Sequence, residues 1–258
     1  SLKFVEVPTD NGGLIPEELD KILETTPNCK FIYVIPDFQN PTGRTWSMER
    51  RQKFMEVVNK HNLPVLEDNP YGELRYEGTI LPSLKSMDTK GLVMFLGTFS
   101  KIFCPGLRLG WIAAEHSLLS EFVKIKQSAD LHTSNFDQGV ADAYMEQYDL
   151  DEHVKEIVAL YKHRRDLILE SMEKYFPAGT EWTHPEGGLF LWLTFPEGVS
   201  ARKVFNKCIE MKVAGVIGDA FYPNQKTDRS MRINYSNMPD DRIVEGIQRM
   251  AKAIKECM

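Results

Sequence analysis

The stretch LVMFLGTFSKIFCPGLRLGWIAAE, Leu92–Glu115, decides the reading of this chain. An apolar run, Leu92–Gly97, gives way to small hydroxyl residues around Lys101. Glycines and Arg108 follow, and then a second apolar run begins. That is a strand, a polar turn and another strand. A lysine at such a place is costly if it is buried as a bare ammonium. Taken alone, Lys101 reads as a surface cation. A lysine whose surroundings lower its pKa is instead a nucleophile toward aldehydes.

The same strand-then-polar pattern recurs upstream. KFIYVIP (Lys30–Pro36) is a continuous apolar run and predicts a strand buried on both faces. LPVLEDNPY places Glu67 and Asp68 at the end of another short strand. Helices are predicted over Ile15–Leu23, with Pro16 in the first turn, and from an N-cap at Ser47. Further helices are expected at about Ser117–Gln127 and over Asn135–Gln147. The alternation LKFVEV, Leu2–Val7, predicts a strand at the start, followed by a turn at Asp10–Gly13. Strands alternating with helices predict an α/β fold, a mostly parallel sheet with helices on both faces. Ligands of such sheets bind beyond the carboxyl ends of the strands, where the polar residues fall.

After Asp149 the pattern changes. One long amphipathic helix runs to about Phe176, followed by strands in GGLFLWLTF and SMRINYS and by helices in SARKVFNKCIEM and after Pro239. This predicts a second, smaller α+β domain, with the division at 1–148 and 149–258.

Composition narrows the function. The chain has 258 residues, 31 basic and 37 acidic, for a net charge of −6. No basic stripe points to nucleic acid, and no apolar run is long enough to span a membrane. The four cysteines have no CxxC spacing and the six histidines no ligand spacing, so no metal site is expected. Separated cysteines in a chain this long predict a reducing, cytoplasmic setting.

Chemistry-bearing residues cluster at the strand ends. Thr98 and Ser100 offer hydroxyl groups, and Arg108 offers a planar fork suited to phosphate. Gly106 and Gly110 are expected to let the backbone approach closely. A phosphate-bearing aldehyde would satisfy Lys101 and these groups together. Asp68 alone reads as a turn cap. Held against a pyridine nitrogen, it would keep that nitrogen protonated, and a protonated ring accepts electrons from a carbanion. Tyr71, and Asn40 in QNPTG (Gln39–Gly43), are donors suited to a phenolate oxygen. Arg108 alone reads as half of an ion pair, and Arg232 as an exposed strand arginine. Gly187 and Gly188 in EGGLFLW suggest a tight approach. Phe190 and Trp192 read as core or as pocket wall.

NPTG, DxxY, TFSKxxxPGLRLGW, GG-L-F and MRINYS, in that order, resemble the fold-type I pyridoxal-phosphate enzymes. They resemble most the class I/II aminotransferases of the aminoadipate, kynurenine and aromatic kind. The resemblance implies pyridoxal 5′-phosphate as cofactor and transamination between an L-amino acid and a 2-oxo acid. By resemblance, Lys101 holds the cofactor covalently and then moves the proton, and Asp68 pairs with the ring nitrogen. Asn40 and Tyr71 bind its phenolate oxygen. Thr98, Ser100 and Arg108 bind its phosphate, and Arg232, beside Asn40, binds the substrate carboxylate. The family is about half as long again. The resemblance therefore implies an N-terminally truncated large domain, little turnover by this chain alone, and a homodimer in the full-length form. Two other readings use the same residues: a carbon–sulfur lyase, and the aminotransferase-like sensor domain of a winged-helix transcription regulator.

Overall fold

The computed structural model describes residues 2–224 and 228–258. It contains two compact bodies, the first built from residues 7–37 and 45–157 and the second from residues 2–6, 38–44 and 158–258.

The first body opens with a small antiparallel hairpin, β1 (Thr9–Asp10) with β2 (Gly13–Leu14). Gly13 has φ +96°, and a Cβ there would lie 2.3 Å from Trp46 Nε1. The strand expected over Leu2–Val7 does not form. A strand needs a ladder partner, and these residues take none among the described residues. Phe4 and Glu6 are instead tied to Asn224, whose Nδ2 donates to Phe4 O and whose backbone N donates to Glu6 Oε1.

Helix α1 (Pro16–Thr25) begins with Pro16 at its first position, where a missing N–H costs nothing. Strand β3 (Ile32–Val34) follows, then α2 (Met48–His61). Ser47 caps α2 as expected, its hydroxyl accepting from Arg50 N at 3.2 Å. The rest of the body is β4 (Val65–Asp68), the short α3 (Leu84–Met87), β5 (Val93–Thr98), β6 (Gly110–Ala113), α4 (His116–Ala129) and α5 (Asn135–Gln147). The sheet order is β3-β4-β5-β6. The first three strands are parallel, and β6 runs antiparallel to β5.

Strand residues alternate between faces. Ile32, Val34 and Val65 turn into a core shared with Leu19, Phe54 and Val58 from α1 and α2. Tyr33 lies on the opposite face and is 53% exposed, so β3 is buried on one face only. An apolar run of three strand residues does not by itself distinguish the two cases.

A charged cluster closes this core. Arg51 is fully buried. Its Nη2 donates to Asp37 Oδ1 at 2.7 Å, its Nη1 to Pro82 O at 3.0 Å and its Nε to Trp46 O at 3.3 Å. Arg75 Nη2 shares the same Asp37 oxygen at 3.1 Å. Buried Glu67 accepts from the backbone N–H groups of Leu84 and Lys85, both at 2.8 Å.

The second body begins within α6 (Leu150–Tyr175). A four-stranded antiparallel sheet follows, in the order β7 (Glu181–Trp182), β8 (Phe190–Thr194), β10 (Ser230–Asn234), β9 (Val216–Ile217). Helices α7 (Ala201–Glu210) and α8 (Asp240–Glu256) pack together. The buried side of α8 carries Ile243, Ile247, Met250 and Ile254, the i, i+4, i+7 spacing of an amphipathic helix.

Removing one partner of a buried, hydrogen-bonded charge pair leaves the other uncompensated. The variant Arg51→Met is expected to lose about 3–5 kcal/mol of stability in urea denaturation. An exposed control, Lys124→Met, should lose less than about 1 kcal/mol.

Candidate active site

Strands β4 and β5 are parallel, with Asp68 opposite Leu96. Their carboxyl ends therefore finish on the same side, and the polar residues gather there. Asn69 N donates to Leu96 O at 2.9 Å, which extends the ladder one residue past Asp68. In parallel register Tyr33 lies opposite Leu66, so Tyr33 and Asp68 share a face. The Tyr33 hydroxyl donates to Asp68 Oδ2 at 2.5 Å. Burial, this hydrogen bond and the charge of Asp68 together push the Tyr33 phenol above the ordinary tyrosine range. Tyr71, three residues past Asp68, is buried, and its carbonyl accepts from Leu74 N in a turn. The contact of Tyr33 with Asp68 was not legible in the sequence; only the shared period of two hinted at it.

The turn after β5 is built from its own side chains. Thr98 Oγ1 donates to Leu109 O and accepts from Ser100 N, both at 3.1 Å. Its single proton is thereby spent on the backbone, and Thr98 fastens the turn shut. Phe99 N also donates to Leu109 O. Arg108 adopts a left-handed backbone, φ 57°, and is exposed. Its Nη1 donates to Pro105 O at 3.0 Å and reaches Ser100 Oγ at 3.5 Å. Both partners are neutral, and among the described residues Arg108 forms no ion pair. Lys101 is half-buried in the same turn and has neither a hydrogen-bond partner nor a counter-ion among the described residues.

Space around the turn is set by two glycines. A Cβ on Gly97 would lie 2.1 Å from the Trp111 ring, and one on Gly110 would lie 2.8 Å from Gly97 O. The close approach expected at Gly110 is present. At Gly106 it is not: an added Cβ would meet only Cys104 Sγ, at 3.8 Å, an ordinary contact. The importance of Gly97 was missed, because its neighbour across the ladder is known only once the register is.

The second body holds the remaining candidates. Arg232 lies in β10, opposite Trp192 on one side and Val216 on the other. Its Nη1 donates to Asn40 Oδ1 at 2.7 Å. Its guanidinium lies over the Phe190 ring, 4.1 Å from the centroid, and 5.0 Å from that of Phe221. Phe190 is thus a platform for the arginine, whereas Trp192 is buried. Nothing in the sequence marked Phe221. The Asn40 loop sits close on β8: Gly43 has φ +69°, and a Cβ there would lie 2.5 Å from Phe190 O. Gly188 is equally tight, with an added Cβ 2.5 Å from that of Phe38.

The first body therefore gathers Asp68, Tyr71, Thr98, Ser100, Lys101 and Arg108, and the second joins Asn40 to Arg232. An ammonium without a partner among the described residues, a guanidinium without a carboxylate among them and a neighbouring hydroxyl fit a phosphorylated aldehyde. A carboxylate already steadied on one oxygen fits a ring nitrogen. Among the described residues no group of histidine, cysteine and carboxylate side chains could hold a metal ion. None of their helices is long and apolar enough to cross a membrane.

Residues 1–250 match the family described as "Aminotransferase class I and II". Aromatic-amino-acid aminotransferase 1 of Thermococcus litoralis is 42% identical over 260 residues, which cover 99% of this chain and 62% of that protein. Among solved structures, Pyrococcus horikoshii kynurenine aminotransferase, in complex with PMP, KYN as substrates and KYA as products, is 40% identical with a TM-score of 0.93. It matches over 98% of this chain and 63% of its own. LysN, the alpha-aminoadipate aminotransferase of Thermus thermophilus, complexed with N-(5'-phosphopyridoxyl)-L-leucine, is 31% identical with a TM-score of 0.93, over 99% of this chain and 66% of its own. The chain spans less than two thirds of the length of each of these proteins.

The raised phenol of Tyr33 has a measurable consequence. In an ultraviolet titration at 295 nm, Tyr33→Phe should remove one phenol from those that ionise above the ordinary tyrosine range. Below the ordinary tyrosine value of about 10, the contact stabilises the fold fully. As pH rises beyond it, the unfolded phenol releases its proton first, and the stabilisation is lost.

Proposed function

The chain belongs to the class I and II aminotransferases, and from that premise we propose that it takes part in pyridoxal-phosphate-dependent transamination between an L-amino acid and a 2-oxo acid. The observation that carries this reading is the Lys101 turn, where, among the described residues, an ammonium without a counter-ion lies in one turn with an arginine whose partners are all neutral. The three proteins named above are aminotransferases, which favours amino transfer over elimination, and over the sensor role suggested by two less similar relatives, described as uncharacterized HTH-type transcriptional regulators and 30% and 28% identical. We further place the protein in the cytoplasm, as a homodimer acting on small molecules and not on nucleic acid. Its four free cysteines support a reducing setting, and the dimer rests on family membership.

When bound, the cofactor would supply an electron-withdrawing ring to accept the electron pair left as the substrate Cα loses its proton. The chain's own residues do the rest. Ser100 and Arg108 would bind the phosphate, with Thr98 holding their turn in shape. Asp68 would keep the ring nitrogen protonated, and by family resemblance Asn40 and Tyr71 would donate to the phenolate oxygen. Lys101 Nζ would hold the cofactor through its aldehyde carbon and serve as general base for the substrate Cα proton. Arg232 binds the substrate carboxylate with its planar fork. The two aromatic rings beside it and its bond to Asn40 fix the orientation of that fork in advance, so little side-chain entropy is lost on binding.

Treating the protein with pyridoxal phosphate and borohydride, then mapping peptides by mass spectrometry, tests the reading. A single adduct at Lys101, absent in Lys101→Ala, is expected; scattered labelling of surface lysines would refute it. In the complete enzyme, Lys101→Ala should lower kcat by about 10²–10⁴-fold. There, Arg232→Lys keeps the charge but loses the two-pronged fork. It should raise KM for the amino acid about tenfold and leave Lys101 labelling unchanged.

A further inference from the structure

Asp68 is the last residue of β4. At a strand end a carboxylate is free to turn about two side-chain bonds, and either oxygen can face a ligand. One contact removes that freedom. Among the described residues Tyr33 is the only hydrogen-bond partner of the Asp68 side chain, and it binds Oδ2 alone. An O–H donor on a carboxylate oxygen at 2.5 Å lies in the short, charge-assisted range. The contact also spans elements. Tyr33 belongs to β3, and parallel register sets it two residues short of Asp68, about 7 Å along the strand. Only a long side chain with a polar tip bridges that offset. Phenylalanine would fill the same space without donating. Although Tyr33 is half in solvent, its hydroxyl is spent on Asp68 and not left to water.

We propose that Tyr33 is a positioning residue, whose phenol fixes Oδ2 of Asp68 and so leaves Oδ1 as the oxygen presented to the cofactor's ring nitrogen. This rests on the reading of the site given above. Tyr33 touches neither cofactor nor substrate. It acts only through Asp68, and so its effect requires a ligand with a ring nitrogen.

That requirement supplies the test. Wild-type protein and Tyr33→Phe are titrated with pyridoxal phosphate and with its 1-deaza analogue, in which a ring CH replaces the nitrogen. The analogue keeps the aldehyde and the phosphate. Tyr33→Phe should weaken capture of pyridoxal phosphate about tenfold, the effect of losing one hydrogen bond to a charged group, and leave capture of the analogue unchanged. In an Asp68→Ala background, Tyr33→Phe should cause no further loss, because the pair acts as one unit. Equal weakening of both ligands would mean that Tyr33 merely supports the fold, and would overturn the proposal. Unchanged affinity for both would overturn it too. If neither ligand labels Lys101 in the wild-type protein after borohydride, the cofactor reading itself fails, and the role of Tyr33 fails with it. Labelling by both ligands keeps the two questions apart.

Discussion

The buried guanidinium of Arg51 organises the loops around it. It binds Asp37 just after β3, Trp46 O just before α2, and Pro82 O just before α3. Three connections that differ in sequence therefore converge on one fully desolvated cation. Its five N–H donors suit that task, since one planar group can satisfy several buried acceptors at once. The arrangement carries a further effect. The chain leaves the first body after Asp37 and returns at Thr45. Arg51 grips both sides of that excursion, and Trp46 N donates to Pro36 O at 2.8 Å across its base. Within the first body the two chain ends at Asp37 and Thr45 are therefore held together by one buried charge.

Much of this was legible in advance, for local reasons. The Ser47 cap, Pro16 in the first helical turn and the helix over Asn135–Gln147 depend on neighbouring residues, and such signals survive in a single sequence. Strand ends were equally visible, because apolar runs stop where polar residues begin. Pairing was not. The strand anticipated over Leu2–Val7 had the right alternation, but alternation does not reveal whether a ladder partner exists. Tyr33 looked like one more apolar strand residue, and its role depends on which strand lies alongside and in what register. Phe190 and Phe221 flank Arg232 from separate segments of the chain, and no spacing rule links them. Gly97 is indispensable only because Trp111 lies across from it.

The candidate site divides the same way. The residues themselves, Lys101, Asp68, Arg108 and Arg232, stand out because charged groups at strand ends or within strands are uncommon and need a reason. What the sequence left out is what holds them: the phenol on Asp68, the rings around Arg232, the threonine fastening the turn. These supporting contacts are made across the fold, and they decide which atom of each reactive group faces outward.

Glu67 and Asp68 are adjacent carboxylates with opposite assignments. One is turned into the core to receive two backbone N–H groups at the start of α3. The other is turned to the opposite face, where it meets the Tyr33 phenol. Nothing in their chemistry separates them; the two-residue period of the strand does. A one-residue slip of β4 itself would exchange them, carrying Asp68 into the core and Glu67 out of it. Because Val65 and Glu67 are both buried on one side of the strand, the alternation of four residues fixes which carboxylate is structural and which is left at the strand end.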